Sequence, residues 1–125
     1  MYSFMQVTGI ATIGSVDVNE VGEKVFVNLS VAHTDTWTDK ESGEKKEKTS
    51  WFRVSVTNQN VAAYAKNYQV SDEIFIYNGV LESREYEDKD GNKKTAVEIT
   101  IAGGSARIDT VLTKADREIL KAAKQ

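Results

Sequence analysis

A chain of 125 residues fits one domain with a single core, and it has no run of about eighteen apolar residues from which to build a membrane-spanning helix. It contains no cysteine, which excludes disulfides, thiolate metal sites and a cysteine nucleophile and suits a reducing cytoplasm; the opening "MYSFMQVTGI" lacks the basic and long apolar stretches of a secretory signal. A formal charge of −3 and a pI near 5.2 repel nucleic-acid phosphates on average, although an uneven placement of charge can override the average.

The pattern is mostly strand. A first strand is expected from about Phe4 to Val18, with Gly9 and Gly14 as bulges or bends. In "KVFVNLSVAH", Val25, Val27, Leu29 and Val31 alternate with Phe26, Asn28, Ser30 and Ala32, the period-two signal of a half-buried strand. "WFRVSVTN" alternates as well, with Phe52, Val54 and Val56 on one face and Trp51, Arg53, Ser55 and Thr57 on the other. "NQNVAAYAKNYQ" has near-helical spacing, and Asn58 or Asn60 can cap its start. "EIFIYNGVLESREYE" and "KKTAVEITIAGG" read as strands flanking "DKDGNK", whose Asp90-Gly91 suits a hairpin turn. In "TKADREILKAAKQ", Thr113 and Asp116 form a capping box for a second helix. There is no linker, internal repeat or second domain. Five strands with a short helix between the third and fourth give an all-β fold class, a five-stranded OB-fold Greek-key barrel, with a further helix at the C-terminus. Residues 1–106 are assigned to the barrel domain and 107–125 to a helical C-terminal extension.

The two tryptophans stand at the ends of the most polar segment. Trp37 and Trp51 are separated by thirteen residues with no aliphatic or aromatic side chain. Trp51 shares its face with Arg53, Ser55 and Thr57, so its indole is expected to look outward beside a guanidinium. That is what a base-stacking surface needs, and a ring stacked on a base contributes about 1–3 kcal/mol whatever the sequence. Arg53 can add a phosphate contact or stack itself. The alternative for Trp51 is packing under a loop or at a subunit contact. Both indoles flank one hairpin, and on that ground they are expected on one surface. The hairpin carries Lys40, Lys45, Lys46 and Lys48 but also Asp39, Glu41, Glu44 and Glu47, so its charges nearly cancel. Tyr86 is a third stacking candidate, with Arg84 on the same strand face and Lys93 and Lys94 beyond the turn; its alternative is to cover a barrel end.

Catalysis and metal binding find little support. His33 is a lone histidine on a strand, and Glu85, Glu87, Asp88 and Asp90 surround a turn and read as a solvated hairpin. No phosphate-cradling glycine motif or nucleophile elbow is present, and no cofactor is implied.

"TDTWTDKESGEKKEKTSWFRVSV", "YNGVLESREYEDKDGNKKTAVEITIAGG" and the early "VTGIATIG" together resemble the bacterial single-stranded DNA-binding protein family over about residues 3 to 106. The most specific element is "WTDKESGE" followed by "TSWFRV"; "GVL", "DKDG" and Gly103-Gly104 support it. The resemblance implies an OB-fold, mainly homotetrameric assembly with a dimer as the alternative, and wrapping of single-stranded DNA without strong sequence preference in replication, recombination and repair. It implies stacking on Trp37, Trp51 and Tyr86. A further aromatic platform of the family corresponds to Thr57, and two basic positions near Tyr86 are Glu82 and Glu85, leaving Arg84 as the match. Weaker binding and a shallower salt dependence than in a typical member are therefore expected.

Family members commonly end in a flexible stretch and an acidic tip bearing Pro-Phe. This chain ends in "LTKADREILKAAKQ", a basic and helix-like end that is not the expected result of a cut inside a disordered linker. Replication or repair proteins are then recruited by another route or not through this end. The rival reading is a primosome-like or other OB-fold protein-interaction module with weak DNA binding. The apolar "MYSFMQV" start is expected to pair edge to edge between subunits, and Phe52 is a candidate for the same contact.

Overall fold

A computed structural model of the chain describes residues 5–124. Five strands form in the expected places: β1 (Gln6–Val21), β2 (Lys24–Thr38), β3 (Lys45–Val56), β4 (Glu73–Glu87) and β5 (Lys93–Ile101), with α1 (Gln59–Ala65) between β3 and β4. β1 bends at two register shifts, one between Val7 and Gly9 and one between Ile13 and Ser15, so both glycines lie at bulges. Its first half pairs with β4 and its second half with β2, Thr12 belonging to both ladders. β2 pairs with β3, β3 runs parallel to β5 over Arg53–Val56, and β5 pairs back onto β4. The order β1-β2-β3-β5-β4 thus returns to β1, closing the Greek-key barrel of an OB-fold. The start expected at Phe4, and most of the "MYSFMQV" pairing segment, fall on residues 1–4, outside the described residues.

Alternation decides what fills the barrel. Val27, Leu29 and Val31 of β2, Val54 and Val56 of β3, Ile74 and Ile76 of β4, and Ile99 and Ile101 of β5 are all buried, joined by Ile13 of β1. Each such side chain contributes about 1.5–3 kcal/mol by leaving water. α1 packs Val61, Ala62 and Ala65 against this core, with Tyr68 just beyond its end. The Asn58 side chain caps α1 by accepting from the amides of Asn60 and Val61 at 3.0 and 3.2 Å. Gln59 anchors it to β2, accepting from the Val25 amide at 2.8 Å and donating to the Val25 carbonyl at 2.9 Å. Gly79 is required by close approach, since a Cβ there would lie 2.4 Å from Ile99 Cγ2.

Phe52 shares the apolar face of Val54 and Val56 but is not enclosed with them. It is 42% exposed, while Val54 and Val56 on the same face are sealed. β3 is covered by β5 only from Arg53 onward, so Phe52 lies where the barrel opens. It borders an apolar groove of about 260 Å³ with Val7, Ile10, Val31 and Ile76.

A sixth strand, β6 (Arg107–Leu112), occupies the start of the stretch read from sequence as helical extension. It pairs antiparallel with Glu73–Tyr77 of β4, along the edge that β5 leaves after Val80. β6 therefore resumes the path of β5 after the break at residues 102–106. Ile108 is its buried anchor. The phenols of Tyr64 and Tyr68 bond to it, Tyr64 donating to the Ile108 carbonyl at 2.6 Å and Tyr68 sharing a hydrogen bond with Thr110 at 3.1 Å. α2 (Lys114–Ala123) follows with the expected capping box of Thr113 and Asp116. Buried Asp72 fixes its start by accepting from the Lys114 amide, while its other oxygen takes the Gln69 amide, both at 2.8 Å.

Candidate nucleic-acid interface

The outward face of the barrel is defined by register. Opposed residues in an antiparallel ladder share a face, so Ala32 and Trp51, Ser30 and Arg53, and Asn28 and Ser55 point together. Across the parallel pairing Arg53 stands beside Glu98, and across the next ladder Glu98 stands opposite Glu82 and Ala96 opposite Arg84. Two residues along, Tyr86 lies opposite Lys94. One outward surface over β2, β3, β5 and β4 thus carries Trp51, Arg53, Arg84 and Tyr86. Tyr86 lies two strands across from Trp51, about 10 Å, and two residues further along the strand direction, about another 7 Å.

Trp51 is 61% exposed and Tyr86 40% exposed. The Trp51 ring lies over β1 at Gly14, where a Cβ would come within 2.4 Å of Cζ3. The backbone of Gly14 is therefore the floor under the indole. Tyr86 is flanked by the Arg84 guanidinium, 5.7 Å from its ring centroid, a cation–π contact. Arg53 donates to Asn28 Oδ1 at 3.2 Å.

Trp37 falls elsewhere. The β2–β3 ladder runs without a register shift from Val27–Val56 to Thr38–Lys45, which places Trp37 opposite Lys46. Trp37 therefore shares a face with Asp35, Lys48, His33 and Phe52, and points to the opposite side of the ribbon from Trp51. This corrects the expectation of one common surface; alternation within each strand shows it only once the cross-strand register is known. Five residues, about 17 Å, separate Trp37 from the position opposite Trp51. It is 48% exposed.

The lysines divide in the same way. Lys45 is on the Trp51 face, Lys46 and Lys48 are on the Trp37 face, and Lys40 sits in the turn between the strands. Lys93 faces away from Tyr86, opposite Glu87, whereas Lys94 is its direct neighbour. Several cations are already paired. Lys46 lies 3.5 Å from Asp39, and Lys94 lies 3.6 Å from Asp88. The Glu41 amide donating to Asp39 holds that carboxyl below the usual carboxylate range. Arg53 and Arg84 both reach Glu98 Oε2, at 3.4 and 3.6 Å. Glu98 is the residue that sequence reasoning missed, and of the two lysines beyond the turn it is Lys94, not Lys93, that stands beside Tyr86; counting back from the "DKDG" turn gives that register.

His33 Nε2 lies 3.0 Å from Asp35 on an exposed part of the strand. Among the described residues no group of three or more His, Asp or Glu side chains is arranged to hold a metal ion, and no helix is long and apolar enough to cross a membrane.

Comparison with known proteins follows the same outline. Residues 10–107 match the family described as the single-strand binding protein family. The chain is 28% identical over 93 residues to the single-stranded DNA-binding proteins of Rickettsia felis and Rickettsia typhi, covering 74% of this chain and 61% of each relative. It thus spans less than two thirds of the length of these relatives. Among solved structures, the Plasmodium falciparum SSB in complex with ssDNA superposes with a TM-score of 0.79 at 22% identity, covering 89% of this chain and 97% of that one. With the family match extending from the middle of β1 to the start of β6, across every strand that builds the barrel, this chain belongs to the single-strand binding protein family.

Proposed function

We propose that this protein binds single-stranded DNA without sequence preference and protects it during replication, recombination and repair in the cytoplasm, acting as a binding protein rather than an enzyme. The observation that carries this reading is Trp51, an indole 61% exposed on an outward sheet face beside Arg53. Arg84 and Tyr86 extend the same surface. A large ring left mostly in solvent on a β-face is open to stacking, and unpaired bases supply flat apolar partners for it. Trp37, with Lys40, Lys46 and Lys48 around the arm, offers a second contact on the other side of the ribbon. Lys45 and Lys93 contribute less directional attraction to the backbone.

Self-association into a tetramer, or a dimer, belongs to the same reading. Its support is the apolar groove at Phe52, Ile10 and Val7, which a second copy can cover. Binding tests the whole proposal. In fluorescence anisotropy at low salt, a labelled oligo-dT is expected to bind and the matching duplex to bind much more weakly. Equal affinity for the two, or binding to neither, would overturn the assignment.

A further inference from the structure

Both arginines of the outward platform are already engaged with one carboxylate. Glu98 lies on β5, between the strands that carry Arg53 and Arg84, and its side chain is only 13% exposed. A single oxygen, Oε2, takes Nε of Arg53 at 3.4 Å and Nε of Arg84 at 3.6 Å. Directly opposite stands Glu82, whose Oε2 accepts the Thr100 hydroxyl at 3.3 Å and which has no ion pair to a guanidinium. Two cations thus face two anions between Trp51 and Tyr86, and the platform is neutral before any ligand arrives.

We infer that Glu98 is an internal stand-in for phosphate that limits how strongly the platform binds single-stranded DNA. The inference rests on the DNA-binding reading above. A carboxylate shared by two guanidiniums takes the same donors that a backbone phosphate would use. An arriving phosphate must share those donors or displace the carboxylate, and each arginine then releases fewer counterions than a free one. Stacking on the rings is untouched by this competition. Glu98 therefore shifts binding from charge toward stacking and makes release easier.

Glu98→Gln keeps the shape of the side chain and removes the competing charge. Its affinity for oligo-dT is expected to rise about three- to tenfold, and its log–log salt slope to steepen by about 0.7 to 1.4, the contribution of one to two freed cations on a single strand. Glu82→Gln removes the same formal charge without touching an arginine and is expected to change the slope by less than half as much. Glu98→Asp, which withdraws the carboxylate by one methylene, supplies an intermediate case should the glutamine variant fold poorly. If wild type binds while Glu98→Gln binds equally or more weakly, Glu98 instead orients the arginines and the inference falls. The same follows if Glu82→Gln steepens the slope as much. If neither wild type nor variant binds, the DNA-binding reading itself fails.

Discussion

Trp51 and Ile99 each lie against a glycine, and the comparison shows what each glycine does. An added Cβ at position 14 would stand 2.4 Å from Trp51 Cζ3, and one at position 79 would stand 2.4 Å from Ile99 Cγ2. The clashes are equal in distance but not in consequence. The indole is largely in solvent and can lift away, whereas Ile99 is buried among Ile76, Ile101 and the rest of the core. Gly14→Ala is therefore expected to leave the melting temperature nearly unchanged while weakening oligo-dT binding, because the ring loses its seat. Gly79→Ala is expected to lower stability by about 1–3 kcal/mol in urea titration, the cost of overpacking a core. Removing the ring outright, with Trp51→Ala, should reduce affinity roughly 5- to 150-fold, corresponding to about 1–3 kcal/mol of stacking. The outward aim of Trp51 was legible from alternation with Val54 and Val56. Its floor was not, because Gly14 and Trp51 are brought together only by the β1–β2–β3 pairing.

At the scale of elements, strands and caps followed local signals closely. The Asn58 cap, the Thr113–Asp116 box and the glycine bulges of β1 are all written in short stretches of sequence. β6 is not, since "RIDTVL" places one buried residue, Ile108, among polar neighbours, and its strand conformation comes from the free edge of β4. The opposed directions of Trp37 and Trp51 are likewise a property of the ladder and not of either strand. One consequence is that a DNA strand lying flat on the Trp51 face does not meet Trp37 unless it crosses the edge of the arm. The link between α1 and β6 gives a prediction in pH. Burial pushes the Tyr64 and Tyr68 phenols above their ordinary 10.0. The unfolded chain then releases these protons first. Their contribution to stability is intact below pH 10 and is lost as pH rises from there through the folded values. Melting temperature measured from about pH 9 to 11.5 should fall, and Tyr68→Phe should flatten that fall while lowering the starting value through loss of the Thr110 bond.

For the whole molecule, charge and apolar surface pull in different directions. The chain's net charge is −3, and its acidic residues reach the cations of both regions: Glu82 and Glu98 offset Arg53 and Arg84 on the platform, and Asp39 and Asp88 take Lys46 and Lys94 in the hairpins. Binding by such a surface depends more on stacking than on counterion release, so its affinity should fall with salt less steeply than the slope of about −0.7 per contacted phosphate would give for all its cations. Composition suggested the repulsion but not how it is neutralised locally, which depends on the register of four strands. The most direct test is a tryptophan-fluorescence titration with oligo-dT at low salt, comparing wild type with Trp37→Phe and Trp51→Phe. If bases stack on Trp51 as proposed, the indole retained in Trp37→Phe should be strongly quenched. Unchanged emission from that variant at saturating oligo-dT would contradict the proposal.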